Sequence, residues 1–371
     1  MRTVHGRNGD SASLQKDDET PLAVQCTCCN KRCFIGNNES GHCGVRYNKG
    51  GKLYLAVYGY PCAVHIDPVE KKPLYHFLPS TSILSIGTIG CNFNCTFCQN
   101  WDISQAVQSM KREVQQQGTG DIEDLAQQIR GSYDLYSPEV LIKIALQRRC
   151  KSVAFTYNEP SIWGEYAHDI AKLAHENGLK TVYVTNGFMT VEHLRYIQPY
   201  VDAMNIDLKS WNPKFYRKIC NGNVECVKET IRQAVEMGFW VEVTTLIIPE
   251  ENDSDEELRS IASFLFDLKP TLPWHISAFH PDYEMTNKRR TPEETLKRAY
   301  GIGREVGLKN IYVGNVHSSG DEDTYCASCG AKLIQRDWYE VSVINKRVFD
   351  GVCYKCGAKQ DGIWECCCVC W

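Results

Sequence analysis

The sequence lacks the long apolar stretches that membrane and secreted proteins carry. Apolar runs such as those at residues 84–86 and 244–248 are far shorter than a bilayer-spanning helix requires. The N-terminal stretch MRTVHGRNGDSASLQKDDETP contains no apolar segment of the kind that a secretory signal needs. A cytoplasmic protein without a membrane span is therefore expected, with a disordered leader over residues 1–22.

An excess of charge of one sign is also lacking. Charged residues make up 23% of the 371 residues, and the formal net charge is −4. This balance gives no electrostatic reason to expect nucleic acid or an anionic membrane as a partner. No GxGxxG and no Walker sequence follows a predicted strand, so a dinucleotide site or a P-loop is not supported.

Cysteine, by contrast, is abundant, with 20 residues. In a chain expected to stay where thiols are reduced, closely spaced cysteines indicate metal ligands rather than disulfides. Sixteen fall into four clusters, within residues 26–43, 91–98, 326–356 and 366–370. The other four, Cys62, Cys150, Cys220 and Cys226, are expected to be buried structural thiols.

Short β-branched or aromatic runs alternate with helical stretches between residues 81 and 316. The runs lie at residues 83–85, 152–156, 181–185, 203–207, 241–247, 275–279 and 310–314. This alternation predicts a parallel sheet, either a barrel or a doubly wound layer. In a barrel, the chemistry is expected at the C-terminal ends of the strands.

Helix start signals support the alternation. Ser137-Pro138-Glu139 and Thr291-Pro292-Glu293 each offer an N-cap, a proline and an acidic first turn. The polar stretch over residues 102–136 interrupts the pattern. It is interpreted as a solvated insertion, with a helix and loop covering the barrel mouth as the alternative.

A tight cysteine loop directly follows the first predicted strand. Cys91, Cys95 and Cys98 have the spacing C-x3-C-x2-C, which lets one loop contact three corners of an Fe4S4 cube. Iron–sulfur clusters usually take four cysteines, and the missing fourth leaves one iron open to a substrate-like ligand. The alternative is a zinc site of these three cysteines completed by a distant histidine.

The cysteine loop, with its aromatic Phe97, resembles the motif of the radical S-adenosylmethionine (SAM) superfamily. Further phrases resemble the radical SAM enzyme of the AmmeMemoRadiSam system, a relative of pyruvate formate-lyase activating enzyme. They are CGVR at 43–46, DPVEKKPLYHF at 67–77, QNW at 99–101, TYNEP at 156–160, VTNGF at 184–188, NIDLK at 205–209, HIS at 275–277 and HPDY at 280–283. The resemblance extends from about residue 26 to residue 356.

The resemblance implies a partial (β/α)6-type TIM barrel whose open iron binds SAM. One electron from the cluster would cleave SAM to methionine and a 5′-deoxyadenosyl radical, which abstracts hydrogen from a substrate. The cofactor carries this chemistry, and the protein orients SAM and excludes water.

The resemblance also suggests SAM contacts at successive strand ends. Asn158 and Glu159 occupy the position of the superfamily's Gly-Gly-Glu motif, where the carboxylate or nearby backbone carbonyls would bind the SAM ammonium. Asn186 lies in a phrase that reads Asp-Thr-Asn-Gly in activating enzymes, but Val184 replaces the aspartate, so no cation site is carried over. Asp207 and Lys209 lie on one face of an extended segment and suit SAM or substrate contacts.

Each of these contact assignments has a structural alternative, which for Asn186 is a role in a turn. The Asn-Glu-Pro phrase can be a turn, and the Asp207–Lys209 pair can be a surface ion pair of little energetic weight. His275 and His280 either face the cofactor or are hydrogen-bonded structural histidines.

Cysteine-rich segments flank the predicted barrel. Cys326, Cys329, Cys353 and Cys356 form two C-x2-C knuckles, the pattern of a zinc ribbon. Without a surrounding basic excess, this module is expected to stabilise or dock rather than bind nucleic acid.

The N-terminal set has the spacing C-x2-C-x3-C-x9-C. Cys26, Cys29, Cys33 and Cys43 fit zinc or an auxiliary iron–sulfur cluster, and the spacing does not separate the two. Cys28 can replace Cys26 or Cys29 as a ligand. The tail around Cys366–Cys370 departs from the family and can bind a soft metal, be lipidated or oxidise.

These inferences divide the chain into five parts: a leader (1–22), an N-terminal cysteine-rich metal-binding and β segment (23–80), a radical SAM core barrel (81–318), a zinc-ribbon-like module (319–362) and a cysteine-rich tail (363–371). The expected function is radical SAM chemistry on an unidentified substrate, with an electron donor as partner. A protein or peptide substrate is expected only by analogy with glycyl-radical activating enzymes. The alternatives are a true glycyl-radical activating enzyme and a non-catalytic metal-binding adaptor.

Overall fold

An eight-stranded sheet forms the centre of the protein in the computed structural model, which describes residues 6–7, 23–116, 122–316 and 321–364. Five short strands precede it: β1 (Gly6–Arg7), β2 (Val24–Cys26), β3 (Phe34–Ile35), β4 (Arg46–Lys49) and β5 (Lys52–Leu55). The central strands are β6 (Ala63–Pro68), β7 (Ser82–Gly87), β8 (Ser152–Phe155), β9 (Lys180–Thr185), β10 (Ala203–Asp207), β11 (Trp240–Ile247), β12 (Trp274–Ala278) and β13 (Ile311–Gly314).

The strands of this sheet lie side by side in chain order. β7 to β13 run parallel, and β6 pairs antiparallel with β7 at one edge. Within the described residues no ladder joins β13 to β6, so the sheet is an open, partial barrel. The predicted α/β fold is confirmed, and the seven predicted runs correspond to the seven parallel strands, one more than a (β/α)6-type barrel has.

Helices connect the parallel strands and cover the sheet. They are α1 (Trp101–Ser104), α2 (Ala106–Gln116), α3 (Ile122–Ser132), α4 (Pro138–Gln147), α5 (Gly164–Glu176), α6 (Val191–Ile197), α7 (Pro213–Phe215), α8 (Val224–Glu236), α9 (Asp255–Leu268) and α10 (Glu293–Val306). Their apolar faces join the strands in one core cluster.

The two predicted helix caps have different outcomes. The Ser137 side chain accepts a hydrogen bond from the Val140 amide and caps α4, as predicted. Thr291 does not cap α10, whose N-cap Pro292 has no side-chain bond. The Thr291 hydroxyl instead donates to the Ile247 carbonyl at 2.5 Å. This bond joins the end of β11 to the segment after β12.

The polar stretch over residues 102–136 is not merely solvated. In α3, Ile122, Leu125, Ala126 and Ile129 are buried in the main core. Their i, i+3, i+4, i+7 spacing is that of an amphipathic helix. The expectation of a solvated insertion was therefore wrong for this helix.

The phrase DPVEKKPLYHF, residues 67–77, begins in the last two residues of β6. It packs against the end of the sheet at which the parallel strands begin. The Tyr75 and His76 amides donate to the Glu242 carboxylate at 3.0 and 2.8 Å. Glu242 is fully buried and also accepts from Trp240 Nε1 and His275 Nε2 at 2.9 and 2.7 Å. A buried carboxylate with four donors is well compensated. Through its bonds to Glu242, the phrase covers the end of the sheet at which the parallel strands begin.

The C-terminal module contains β14 (Thr324–Tyr325), β15 (Lys332–Asp337) and β16 (Glu340–Val343) in one antiparallel sheet. It contacts the phrase at 67–77 through Arg336, which donates to the Tyr75 carbonyl at 3.0 Å. The Ile363 amide donates to the His76 carbonyl at 2.8 Å. The C-terminal module is therefore bound to the DPVEKKPLYHF phrase.

The leader apart from Gly6–Arg7, and the cysteines at 366–370, lie outside the described residues. Across the described ranges, none of the helices combines the length and apolar character needed to cross a membrane.

We predict that His193 makes the stability of the fold sensitive to acid. Burial, with the charges of Arg46 and His168, lowers the pKa of His193 from 6.5 to about 3. Because the folded value is the lower one, the unfolded chain takes up the proton first. Stability is therefore complete above pH 6.5 and falls by about 1.4 kcal/mol per pH unit between pH 6.5 and 3.

Urea unfolding of wild type and His193→Leu, followed at pH values across this window, measures the effect. The variant is expected to lose stability less steeply with falling pH than the wild type. The exposed His65, changed to Leu, is the control and should keep the wild-type slope. Equal slopes for wild type and His193→Leu would contradict the prediction.

Candidate active site

The cysteine loop follows β7, at the sheet edge where the parallel strands end. Asn158, just after β8, binds this loop with both ends of its amide. Its Oδ1 accepts from the Thr88 amide at 3.2 Å, and its Nδ2 donates to the Gly90 carbonyl at 2.8 Å. Gly90 has φ +87°, and a Cβ there would lie 2.8 Å from the Cys43 carbonyl. The structure thus places Asn158 as the anchor of the loop.

The aromatic residues of the loop point into the core. Phe93 packs against Phe188 and Tyr216, and Phe97 packs against Phe215, with both loop rings buried. The backbone between the cysteines is therefore fixed by apolar burial on its inner side.

The three thiols of the loop have few protein partners. Cys91 Sγ accepts from the Phe93 amide at 3.5 Å, and Cys98 Sγ lies 3.3 Å from the Ser104 hydroxyl. Burial raises the pKa of Cys91 and Cys98. The Cys220 thiol and burial raise the pKa of Cys95.

The donor set fits an iron–sulfur cluster. Three thiols in one loop supply soft ligands, and the loop holds no fourth cysteine. Thr96 Oγ1, between the second and third cysteines, is buried without a hydrogen-bond partner. A [4Fe–4S] cluster would be held by Cys91, Cys95 and Cys98.

Glu159 joins the ends of two strands. Its carboxylate accepts from the Ser161 amide at 3.0 Å, the Thr185 hydroxyl at 2.9 Å and the Asn186 amide at 2.8 Å. Burial raises its pKa, and the hydrogen bonds from Ser161 and Asn186 lower it. With only 2% of the residue exposed, the carboxylate is already engaged by the chain itself.

Asn186 reaches from the end of β9 to the cysteine loop. Its Nδ2 donates to Asn92 Oδ1 at 2.7 Å and lies 4.0 Å from Cys91 Sγ. Its Oδ1 accepts from the Phe188 amide at 3.0 Å. The predicted site residue is therefore adjacent to the first cysteine of the motif.

Asp207 and Lys209 form an ion pair at the end of β10, with 2.8 Å between Oδ2 and Nζ. Burial lowers the pKa of Lys209, but Asp207 and the nearby Cys95 raise it well above its ordinary value. Lys209 Nζ lies 5.6 Å from the centre of the Phe97 ring. The structure thus brings this pair next to the cysteine loop.

The two candidate histidines lie at different levels of the sheet. His275 is buried near the start of β12 and bound to Glu242, so it has the structural role that the sequence left open. His280 lies past the end of β12 and contacts Gln99 Nε2 at 3.0 Å. Of these two histidines, only His280 is next to the cysteine loop.

Sequence reasoning missed a charged group beside the site. Asp67 accepts from Lys71 at 2.9 Å, Lys72 at 2.7 Å and the Tyr157 hydroxyl at 2.9 Å. Burial raises the pKa of Asp67, but the hydrogen bonds from Lys72 and Lys71 bring it well below its usual range. Tyr157 has φ +70°, and its carbonyl accepts from Asn100 at 2.9 Å. The DPVEKK phrase was the available signal, but nothing in it indicates Tyr157 as its partner.

The four cysteines of the C-terminal module converge. Cys326, Cys329, Cys353 and Cys356 have all four Sγ atoms within 4.8 Å of one another, with Cys326–Cys356 and Cys329–Cys353 at 3.7 Å. Tetrahedral zinc, with Zn–S bonds of about 2.3 Å, places its sulfurs roughly 3.8 Å apart. The geometry fits zinc.

The N-terminal cysteines line one small cavity. Cys26, Cys29, Cys33 and Cys43 all face it, and so does Cys28. The candidate N-terminal ligands are therefore brought together around one space.

Comparisons with known proteins agree with this geometry. The model of the radical SAM superfamily matches residues 85–262. An uncharacterized protein of Methanocaldococcus jannaschii is 41% identical over 339 residues, which cover 91% of this chain and 95% of that protein. Another protein of that organism, provisionally named a glycyl-radical enzyme activating enzyme, is 24% identical over 64% of this chain and 81% of its own length.

The pyruvate formate-lyase-activating enzyme of Clostridium pasteurianum is 22% identical over 53% of this chain and 77% of its own length. The region matched by the superfamily model, residues 85–262, contains the cysteine loop and the ends of the strands next to it. The chain belongs to the radical SAM superfamily and is related to its activating enzymes.

Proposed function

We propose that this chain is an enzyme that cleaves SAM reductively and abstracts hydrogen from a substrate. The observation that carries the proposal is the loop of Cys91, Cys95 and Cys98, which is anchored at the end of β7 and supplies three thiols from one C-x3-C-x2-C segment. When bound there, a [4Fe–4S] cluster supplies one electron that cleaves SAM to methionine and a 5′-deoxyadenosyl radical. A low-potential one-electron donor is the partner this chemistry requires.

The residues at neighbouring strand ends would position SAM. The Glu159 carboxylate is occupied by chain donors, so the backbone carbonyls around it are the better acceptors for the SAM ammonium. Lys209, with a charge stabilised by Asp207, suits the SAM carboxylate, since charge-assisted hydrogen bonds are the stronger kind. The Asp207 carboxylate is one-third exposed and can also accept from ribose hydroxyls.

A glycyl-radical activating enzyme is the second candidate. It is favoured by the relatives provisionally or firmly named as activating enzymes. Its substrate would be a protein backbone, and radical formation on a partner chain, seen by electron paramagnetic resonance, would support it. A non-catalytic metal-binding adaptor would instead bind zinc alone.

The proposal also assigns the chain to a branch of the superfamily and to a cellular location. The DPVEKKPLYHF phrase supports placing the chain in the AmmeMemoRadiSam branch. All sixteen cysteines of the described residues are free thiols, which supports a reducing, cytoplasmic location.

SAM cleavage is the first test. Anaerobically reconstituted protein, reduced with dithionite and given SAM, is expected to form 5′-deoxyadenosine, measured by chromatography. Cys91→Ala should reduce the product to background because one cluster ligand is lost. Cys226→Ala, a half-buried thiol on α8, is the matched control and should form product like wild type. Product formation at the same rate in Cys91→Ala would sink the proposal.

The role of Lys209 is tested by the concentration dependence of SAM cleavage. Lys209→Met is expected to raise the KM for SAM by about 10-fold or more, because a hydrogen bond to a charged group contributes about 1.5–3 kcal/mol. The matched control is Lys228→Met, which removes a lysine paired with Glu225 on α8. Iron content should equal that of wild type in both variants. An unchanged KM with normal iron content would remove Lys209 from the SAM site.

A further inference from the structure

The N-terminal cysteines form a second thiol site that the proposed reaction does not use. Cys26, Cys28, Cys29 and Cys43 are buried, and Cys33 is partly buried. The His42 amide donates to Cys33 Sγ at 3.5 Å. Thiols gathered around one cavity and given amide donors are the arrangement of a metal centre rather than of scattered core cysteines.

How closely the sulfur atoms converge distinguishes the two metal centres that the sequence left open, a zinc ion and an iron–sulfur cluster. In the C-terminal module the four sulfurs converge to the separation that a single zinc ion requires. Among the residues that the structure describes, no other group of three or more ligand atoms converges as closely. Neither the N-terminal set nor the set of Cys91, Cys95 and Cys98 converges in that way. Thiolates that do not converge on a single ion suit a polynuclear cluster, whose metal ions occupy the space between the ligands.

Basic side chains surround the cavity. Lys31 and Arg46 line it, and Arg46 is fully buried with Glu165 as its partner at 2.5 Å. A cluster held by four thiolates carries negative charge, and buried charge needs a nearby opposite charge. Cys28 lines the same cavity as Cys26, but the four-cysteine spacing C-x2-C-x3-C-x9-C is complete without it.

The site is attached to the loop of the first cluster. Cys29 forms a β-bridge with Met189, and the Asn30 amide donates to the Phe188 carbonyl at 3.0 Å, just after Asn186 at the end of β9. Asn92, the residue after Cys91, lines the same cavity, and its Nδ2 is buried without a hydrogen-bond partner. Its Oδ1 accepts from the Cys91 thiol at 3.9 Å, so Asn92 lies between the two sets of cysteines.

We propose that Cys26, Cys29, Cys33 and Cys43 bind an auxiliary iron–sulfur cluster beside the loop that holds the SAM-binding cluster. Its position suits the transfer of single electrons from a low-potential donor protein to the first cluster. The assignment of the ligands stands independently of the proposed reaction.

Metal content tests the assignment. A variant with Cys91, Cys95 and Cys98 all changed to Ala keeps the N-terminal set intact. After anaerobic reconstitution it is expected to hold about four irons and about four labile sulfides per chain, half the wild-type content, with about one zinc in the C-terminal module. Mössbauer spectra should show a [4Fe–4S] cluster. A variant that holds two zinc ions and no iron would overturn the proposal.

Three further variants of the triple-Ala protein identify the ligands. Adding Cys29→Ala and Cys33→Ala should remove the remaining iron, whereas adding Cys226→Ala should leave it. Adding Cys28→Ala should also leave it, and loss of iron there would overturn the four-ligand assignment. Zinc retained by the C-terminal module and an unchanged circular dichroism spectrum show that each variant is folded.

The two proposals fail in distinguishable ways. If wild type forms no 5′-deoxyadenosine but the triple-Ala variant keeps its iron and sulfide, only the proposed reaction fails. If wild type cleaves SAM but the triple-Ala variant holds no iron, only the auxiliary cluster fails.

Discussion

The buried carboxylate of Glu159 is the interaction on which the arrangement of the site depends. It binds the first turn after β8 and the end of β9 at the same time, through Ser161, Thr185 and Asn186. Asn158, its neighbour, binds the loop after β7. Three successive strand ends are therefore joined by one hydrogen-bonded network. Removing the carboxylate would leave buried donors unpaired, at about 1–3 kcal/mol each, and would loosen the cysteine loop together with its neighbours.

The sheet was predictable from the sequence because each of its parallel strands is a short β-branched or aromatic run between helical stretches. Contacts between distant segments were not. Ser137 caps α4 as predicted because its partner is three residues away, whereas Thr291 has the same local pattern but binds Ile247, 44 residues away. The resemblance predicts Asn158 and Glu159 as site residues, and in the structure Asn158 is bonded to the cysteine loop. Their hydrogen-bonding roles depend on folded neighbours that spacing along the chain does not reveal.

The buried charges of the sheet differ in how much the chain itself satisfies them. Glu242 is fully buried with four donors, and Asp67 is paired with two lysines and Tyr157. Charges compensated in this way hold the structure together and have little capacity left for a ligand. The Asp207 side chain is 33% exposed and has the single lysine partner Lys209. This difference in exposure, rather than charge itself, makes the end of β10 the better place for a ligand.

The cysteines show why residue type and spacing alone leave the metal undecided. The C-x2-C knuckles of the C-terminal module and the N-terminal C-x2-C pair have the same local spacing, yet only the former bring four sulfurs within 4.8 Å. In the ribbon, short turns and a small antiparallel sheet draw the two knuckles together. Among the N-terminal cysteines, Cys29 is bridged to the loop after β9, and the Cys43 carbonyl lies against Gly90, so these two residues pack against different parts of the barrel. The separation of the sulfur atoms is thus set by what the backbone packs against, and this separation determines whether one ion or a cluster fits.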